Sequence, residues 1–323
     1  MTLTFLTPLG AVLILGLIVP LVALLFVRRR ARHVRSALGV SEPPFRRLAV
    51  VLLALVLAGT LVGFAAAQPV VEQTKSRRVR TDAEVFFVVD VSRSMLAQSG
   101  PGAPQRFDRA RVAASKLRAS LPDVPVGVAS MTDRVLPHLF PSADEDVFEA
   151  TLNRSLGIER PPPSSGVATQ ATNLSSLATI RGLHFFSPGP DTKRRLVVVF
   201  TDGESTPVSN ARLGTLYRQP PTIASIFVHV WNRDERVYTR GASEPQYRPD
   251  PSSRAILERL AKSTGGSVFA EGDLGAATRQ ARKLLGEGPT VVRGQSGNRT
   301  ALAPFLAAAA LLPLTLVLRR RDR

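Results

Sequence analysis

The chain has 323 residues, enough for one large domain with appendages. It contains no cysteine, which excludes a disulfide framework, a thiolate nucleophile and a cysteine-based zinc site. The formal net charge is +17, but its distribution argues against nucleic acid, because about half of the excess flanks apolar segments: Arg28, Arg29, Arg30, Arg32, Arg35, Arg46 and Arg47 against Glu42, and Arg319, Arg320, Arg321 and Arg323 against Asp322.

Residues 3–27 carry no charge, residues 48–67 form a second such run and residues 301–318 a third, interrupted by Pro304 and Pro313. Each is long enough to approach the roughly 30 Å of a bilayer core at about 1.5 Å per residue. Arginine-rich loops stay cytoplasmic, so the loop between the first two runs and the tail 319–323 both lie inside if residues 68–300 lie outside. Lys75, Arg77, Arg78 and Arg80 weaken this asymmetry without reversing it. Residues 46–67, with two arginines, an apolar stretch and the small-residue run AAAQ, also read as a signal peptide. Both readings place residues 68–300 outside the cytoplasm. The expected order is thus a membrane region 1–67, a soluble domain 82–287, a flexible stalk 288–300, a third helix 301–318 and a basic tail.

Between the anchors, strand-like runs alternate with helical patterns. EVFFVVDVS, PVGVASM, RVLPHLF, RRLVVVFTD, TIASIFVHVW and GSVFA read as strands. The near-continuous apolar runs among them suit central parallel strands covered on both faces. Residues 105–121, 144–156, 173–183, 253–264 and 273–286 read as helices. The first places Phe107, Val112, Ala113, Leu117 and Leu121 near one face, Gly265–Gly266 stops the fourth, and Asp273 fits an N-cap for the last. PVGVASMTDRVLPHLF reads as two strands joined by a tight turn. The predicted fold is an α/β, doubly wound, mostly parallel sheet with one antiparallel edge strand, flanked by transmembrane helices.

Ligands of such sheets bind beyond the carboxyl ends of the central strands. Asp90 ends the first strand, followed by Ser92 and Ser94; Asp202 ends another. Alone, each is a turn former. Together these side chains offer only oxygen, which hard cations such as Mg2+ prefer. A fifth oxygen is expected from Thr172, just ahead of the 173–183 helix, where its hydroxyl also suits an N-cap; Thr169 is the weaker alternative.

D-V-S-R-S, the pre-helix threonine and T-D-G resemble the metal-ion-dependent adhesion site of von Willebrand factor A domains, over about residues 82–287. The membrane layout is similar to bacterial aerotolerance-type (Bat) proteins, which accompany MoxR-class ATPases. The resemblance implies that Ser92, Ser94 and Thr172 bind the metal directly and that Asp90 and Asp202 act directly or through water. The metal is expected to be Mg2+, with Mn2+ and Ca2+ as alternatives. It also implies a cell-membrane, multi-pass protein that captures a carboxylate of a protein partner and is not an enzyme. A cytoplasmic MoxR-type ATPase would have to contact the arginine loop or the tail. A metal-dependent hydrolase and a scaffold without metal are the competing readings. The hydrolase lacks support: His33 lies in the arginine loop, His138 and His229 sit in strand-like runs, His184 lies far in sequence from the metal loops, and neither a nucleophile elbow nor a phosphate loop occurs. Residues 157–171 and 232–252, the latter with Tyr238 and Tyr247, are expected to be loops on the ligand face.

Overall fold

A computed structural model describes residues 2–38, 45–160, 162, 172–188, 193–206, 208 and 210–321. The chain forms two compact units, one of residues 1–76 and 294–323, the other of residues 77–293.

In the first unit, two helices are long and apolar enough to cross a membrane, over Pro8–Val34 and Ala49–Ala66. The first span starts later than the apolar run: Thr2–Phe5 pairs as a strand with Pro69–Glu72, and the helix opens as a 3-10 segment at Pro8. It then continues through Arg28–Arg32 to Ala37, because arginine is a good helix former once the bilayer requirement ends. The third apolar helix, Ala303–Arg321, carries Pro313 inside it. The residues expected to form a flexible stalk are ordered instead. Thr290–Ala301 is a strand in a three-stranded sheet with Thr2–Phe5 and Pro69–Arg80. Its β-branched start, Thr290-Val291-Val292, favours extended backbone, and pairing satisfies amides that a free linker would leave to water.

The second unit is built on six strands: β1 (Ala83–Asp90), β2 (Val126–Met131), β3 (Val135–Ser142), β4 (Arg194–Thr201), β5 (Ile223–His229) and β6 (Ser267–Ala270). Their order is β6-β5-β4-β1-β2-β3. All neighbours run parallel except β2 and β3, as the sequence predicts for one antiparallel edge. Among the described residues the longer helices are α1 (Arg106–Ala119), α2 (Glu145–Arg154), α3 (Asn210–Arg218), α4 (Ser253–Thr264) and α5 (Leu274–Leu285).

Strand alternation splits β1 between two cores. Val85, Phe87 and Val89 pack with α1, α2 and α5, whereas Phe86 and Val88 pack with residues 174–180, α3 and α4. That two-sided burial is why VFFVV is apolar without a break. β3 contains Pro137 and Pro141 and pairs with β2 through register shifts, while β6 is only four residues long.

Several local details differ from expectation. α3 was not anticipated, although Leu213 and Tyr217 lie four apart and both are buried. The 173–183 helix is a 3-10 turn, Leu174–Ala178, followed by one α-turn, Thr179–Gly182. Val112 is 53% exposed, because Ala110 and Ala114 occupy the buried stripe of α1 with Phe107, Ala113 and Leu117. Asp273 precedes α5 without making a side-chain cap bond. Gly265 does end α4, at φ +73°, where a residue with a Cβ would be strained.

Candidate metal centre

β1 and β4 are neighbours in register, with Val89 beside Phe200, so Asp90 and the T-D-G segment emerge side by side. After Asp90 the chain leaves the sheet. Val91 N–H makes a last bond to Met131 O (2.9 Å), and Arg93–Leu96 turns as a 3-10 segment. Asp90 Oδ1 accepts the Ser92 N–H at 2.9 Å. The turn reading of this stretch is therefore correct as local structure and also creates the site, because it folds Ser92 and Ser94 back together. Their Oγ atoms are 3.0 Å apart.

Thr172 joins from a separate loop. Its carbonyl accepts from Thr206 N–H (2.9 Å) and it bridges Ser205, which ties it to the segment after Asp202. The expected capping role falls to Asn173, whose side chain accepts from Ser175 N–H at 3.0 Å. The Thr172 hydroxyl is thereby left to donate to Asp90, 2.9 Å from Oδ2 and 3.1 Å from Oδ1. Thr201, which sequence reasoning did not single out, donates to Oδ2 at 2.6 Å. Thr169 and most of the 157–171 loop lie outside the described residues.

Asp202 sits differently. Its Oδ1 accepts the Glu204 N–H at 3.0 Å and its Oδ2 accepts Arg106 Nη1 at 2.9 Å. Gly203 has φ +74°, and a Cβ there would lie 2.9 Å from Ser253 O and from Leu257 Cγ, so only glycine lets the turn pass over α4. Asp90, Thr172 and Asp202 are fully buried, and Ser92 and Ser94 nearly so.

Arg106, at the start of α1, is fully buried and organises a polar cluster that sequence reasoning missed. Besides Asp202 it donates to Glu204 (2.9 Å), Tyr247 Oη (2.8 Å) and Glu235 (2.5 Å). Glu235 also accepts from Arg109 at 2.6 Å. The Tyr247 hydroxyl, which donates to Glu204 as well, thus ties the 232–252 loop to α1 and to the segment after β4. A cavity of about 660 Å³ opens beside the site, lined by Arg93, Ser94, Glu204, Glu244, Tyr247 and Asp250 among others.

Electrostatics give this arrangement a direction. Among the described residues, the buried carboxylates Asp202 and Glu235 and the nearly buried Glu204 pair with Arg106 and Arg109, the latter shared with Glu271, and the buried Asp90 adds a further carboxylate, so carboxylates outnumber cations. Burial first, and then the Asp202 charge, push Asp90 up to about 7 against hydrogen bonds from Thr201 and Ser92. The same two causes, in the same order, push Glu204 up to about 7 against Arg106 and Tyr247. Two carboxylates that resist ionisation, in a cluster where carboxylates outnumber cations, are what a divalent cation would relieve. Among the described residues no group of three or more His, Asp or Glu side chains is arranged to hold a metal. The Asp90 site is of another kind, with two carboxylates and three hydroxyls, and its all-oxygen donor set fits a hard cation. His229 lies beneath it, bonded to Asp202 O at 3.0 Å and Ser253 Oγ at 3.1 Å.

Residues 85–204 match the family model of the von Willebrand factor type A domain. No curated protein sequence matches the chain. Among solved structures, an aerotolerance-related membrane protein from Bacteroides fragilis aligns at 20% identity and a TM-score of 0.50, over 63% of this chain and 98% of its own. The conserved hypothetical protein BatB from Bacteroides thetaiotaomicron aligns at 17% identity and a TM-score of 0.51, over 62% and 98%. At those identities the likeness is one of fold. The chain therefore carries a von Willebrand factor type A domain, folded like the Bacteroides aerotolerance-related proteins and accompanied by two helices apolar enough to cross a membrane.

Proposed function

We propose that this protein is a membrane-tethered module that binds a divalent cation and uses it to capture an acidic side chain of a protein partner. The observation that carries this reading is the buried oxygen cluster at the ends of β1 and β4, in which carboxylates outnumber cations. Ser92, Ser94 and Thr172 would hold the cation through hydroxyl oxygens. Asp90 serves it indirectly as well, by accepting the hydrogen bond of the Thr172 hydroxyl and so leaving that oxygen's lone pairs free. When bound, the cation supplies a positive charge that neutral hydroxyls leave largely uncancelled, and so attracts a partner carboxylate. Mg2+ is the first choice, with Mn2+ and Ca2+ fitting the same donors. This role needs no bond breaking, so the module is a binding protein and not an enzyme. By analogy with the aerotolerance-related membrane protein, the setting is a cell-envelope complex, with a MoxR-type ATPase as cytoplasmic counterpart.

Calorimetric titration of the full chain in detergent should show Mg2+ binding. Thr172→Ala removes one neutral ligand and should weaken it about tenfold, close to 1.4 kcal/mol. A wild-type protein that binds none of the three cations at millimolar concentration would sink the reading.

The arginine-flanked apolar helices further support three membrane passes with residues 68–300 outside the cytoplasm. The chain has no native cysteine, so single cysteines report cleanly. Cysteine at the exposed position Ser252 should react with an impermeant reagent on intact cells, and cysteine at Ser36 only after lysis. The reverse pattern would place the domain in the cytoplasm.

A further inference from the structure

Arg106 lies outside the five-oxygen set, yet it is fully buried and directly bonded to one of its members. Its Nη1 reaches Asp202 Oδ2 at 2.9 Å, while its Nε reaches Glu235 at 2.5 Å on the far side. We propose that Arg106 is a positioning residue for the cation: it pins Asp202, cancels part of its charge, and so keeps metal binding weak until a partner carboxylate completes the site. This rests on the metal-dependent reading above and adds to it a residue that sets the strength of the hold.

The argument is one of geometry and charge. Both oxygens of Asp202 already accept a bond, one from Arg106 and one from the Glu204 N–H. Each oxygen keeps a further lone pair, but the charge of Asp202 is already shared with Arg106. Arg106 places a permanent positive charge beside the position a cation would take, and like charges in a dry site oppose each other strongly. How much of that charge is felt depends on Glu235. This carboxylate is 2% exposed, holds Arg106 from behind and is shared with Arg109 at 2.6 Å. Nη1 also bonds Glu204 and Tyr247, two walls of the neighbouring cavity. The guanidinium thus joins the metal side of the site to the surface a partner would meet.

The two ends of this arrangement make opposite predictions, which a merely structural ion pair would not. Arg106→Gln removes the opposing charge and frees Asp202, so Mg2+ affinity of the full chain, measured by calorimetry in detergent, should rise at least tenfold. Its melting temperature should fall in EDTA and recover with Mg2+. Glu235→Gln uncovers the arginine charge, so Mg2+ affinity should fall severalfold. Arg106→Lys keeps the charge and loses the fork, so affinity should stay near wild type while the melting temperature drops. The proposal is overturned, with metal capture left standing, if Arg106→Gln binds no tighter than wild type or if both glutamine variants shift affinity the same way. If Arg106→Gln does not fold, Glu235→Gln decides: weaker binding supports the proposal, and unchanged or tighter binding overturns it. Silence from wild type and all variants overturns both readings. Binding by Arg106→Gln alone supports the role of the arginine while removing metal capture by the native protein.

Discussion

Val88→Asp is expected to abolish folding of the second unit. Val88 is fully buried in β1, with parallel neighbours on both sides at Ala129 and Val199. Its side chain lies in the apolar core that includes Phe86, Leu177 and Phe227. An unpaired carboxylate there costs several kcal/mol, against a typical total stability of about 5–15 kcal/mol. Val88→Ala is the control. It removes two methyl groups at about 0.8 kcal/mol each plus a cavity term, so the protein should melt lower but still cooperatively. Limited proteolysis and thermal melts of the full chain in detergent separate the outcomes. A protease-resistant, cooperatively melting Val88→Asp protein would show that β1 is not a covered central strand.

Asp90→Asn should leave the fold intact and remove cation binding. The carboxylate accepts from Ser92 N–H and from the hydroxyls of Thr172 and Thr201, and the hydroxyls can rotate to accept from the new amide. What cannot be replaced is the charge. Losing it beside a divalent cation should weaken Mg2+ binding about a hundredfold or more, near 2.8 kcal/mol. In EDTA the variant should melt at or above the wild-type temperature, because the neutral amide no longer crowds a second negative charge against Asp202. Wild type, but not the variant, should melt higher on adding Mg2+. Retention of Mg2+ affinity within about threefold, roughly 0.6 kcal/mol, would reduce Asp90, Ser92 and Ser94 to an ordinary turn.

The parts of the fold set by local patterns were legible. The unbroken apolar runs of β1 and β4, the paired strands of PVGVASMTDRVLPHLF and the Gly265 stop each carry their physical cause in a short window. So did the turn that folds Ser92 back onto Asp90, whereas Thr172 reaches Asp90 from 82 residues away. The attachment of Asp202 to Arg106 was not foreseen. An arginine opening a helix ordinarily reaches water. Here it is buried only because Glu204, Glu235 and Tyr247 arrive from positions 98, 129 and 141 residues away. Nothing within α1 encodes that meeting, although the acidic and aromatic content of the 232–252 loop was a usable hint. α3 was missed for a different reason. Its buried Leu213 and Tyr217 were visible at helical spacing, but the segment is short and runs into Pro220-Pro221. The ordered strand at 290–301 was hidden because its partner, Pro69–Arg80, lies over two hundred residues earlier.

The two borders of the six-stranded sheet narrow how this protein can recognise anything. One border, β3, holds two prolines that cannot donate to a new ladder, and its register shifts bend it away from a flat template. The other, β6, is four residues long and gives a visiting strand little to hold. Copies that meet side by side are thereby discouraged from zipping together through their backbones. The same closure denies that route to an extended peptide, which elsewhere gains affinity by lengthening a sheet. Selectivity must then come from side chains gathered above the strand ends, where a few substitutions can retune it without disturbing the ladder beneath.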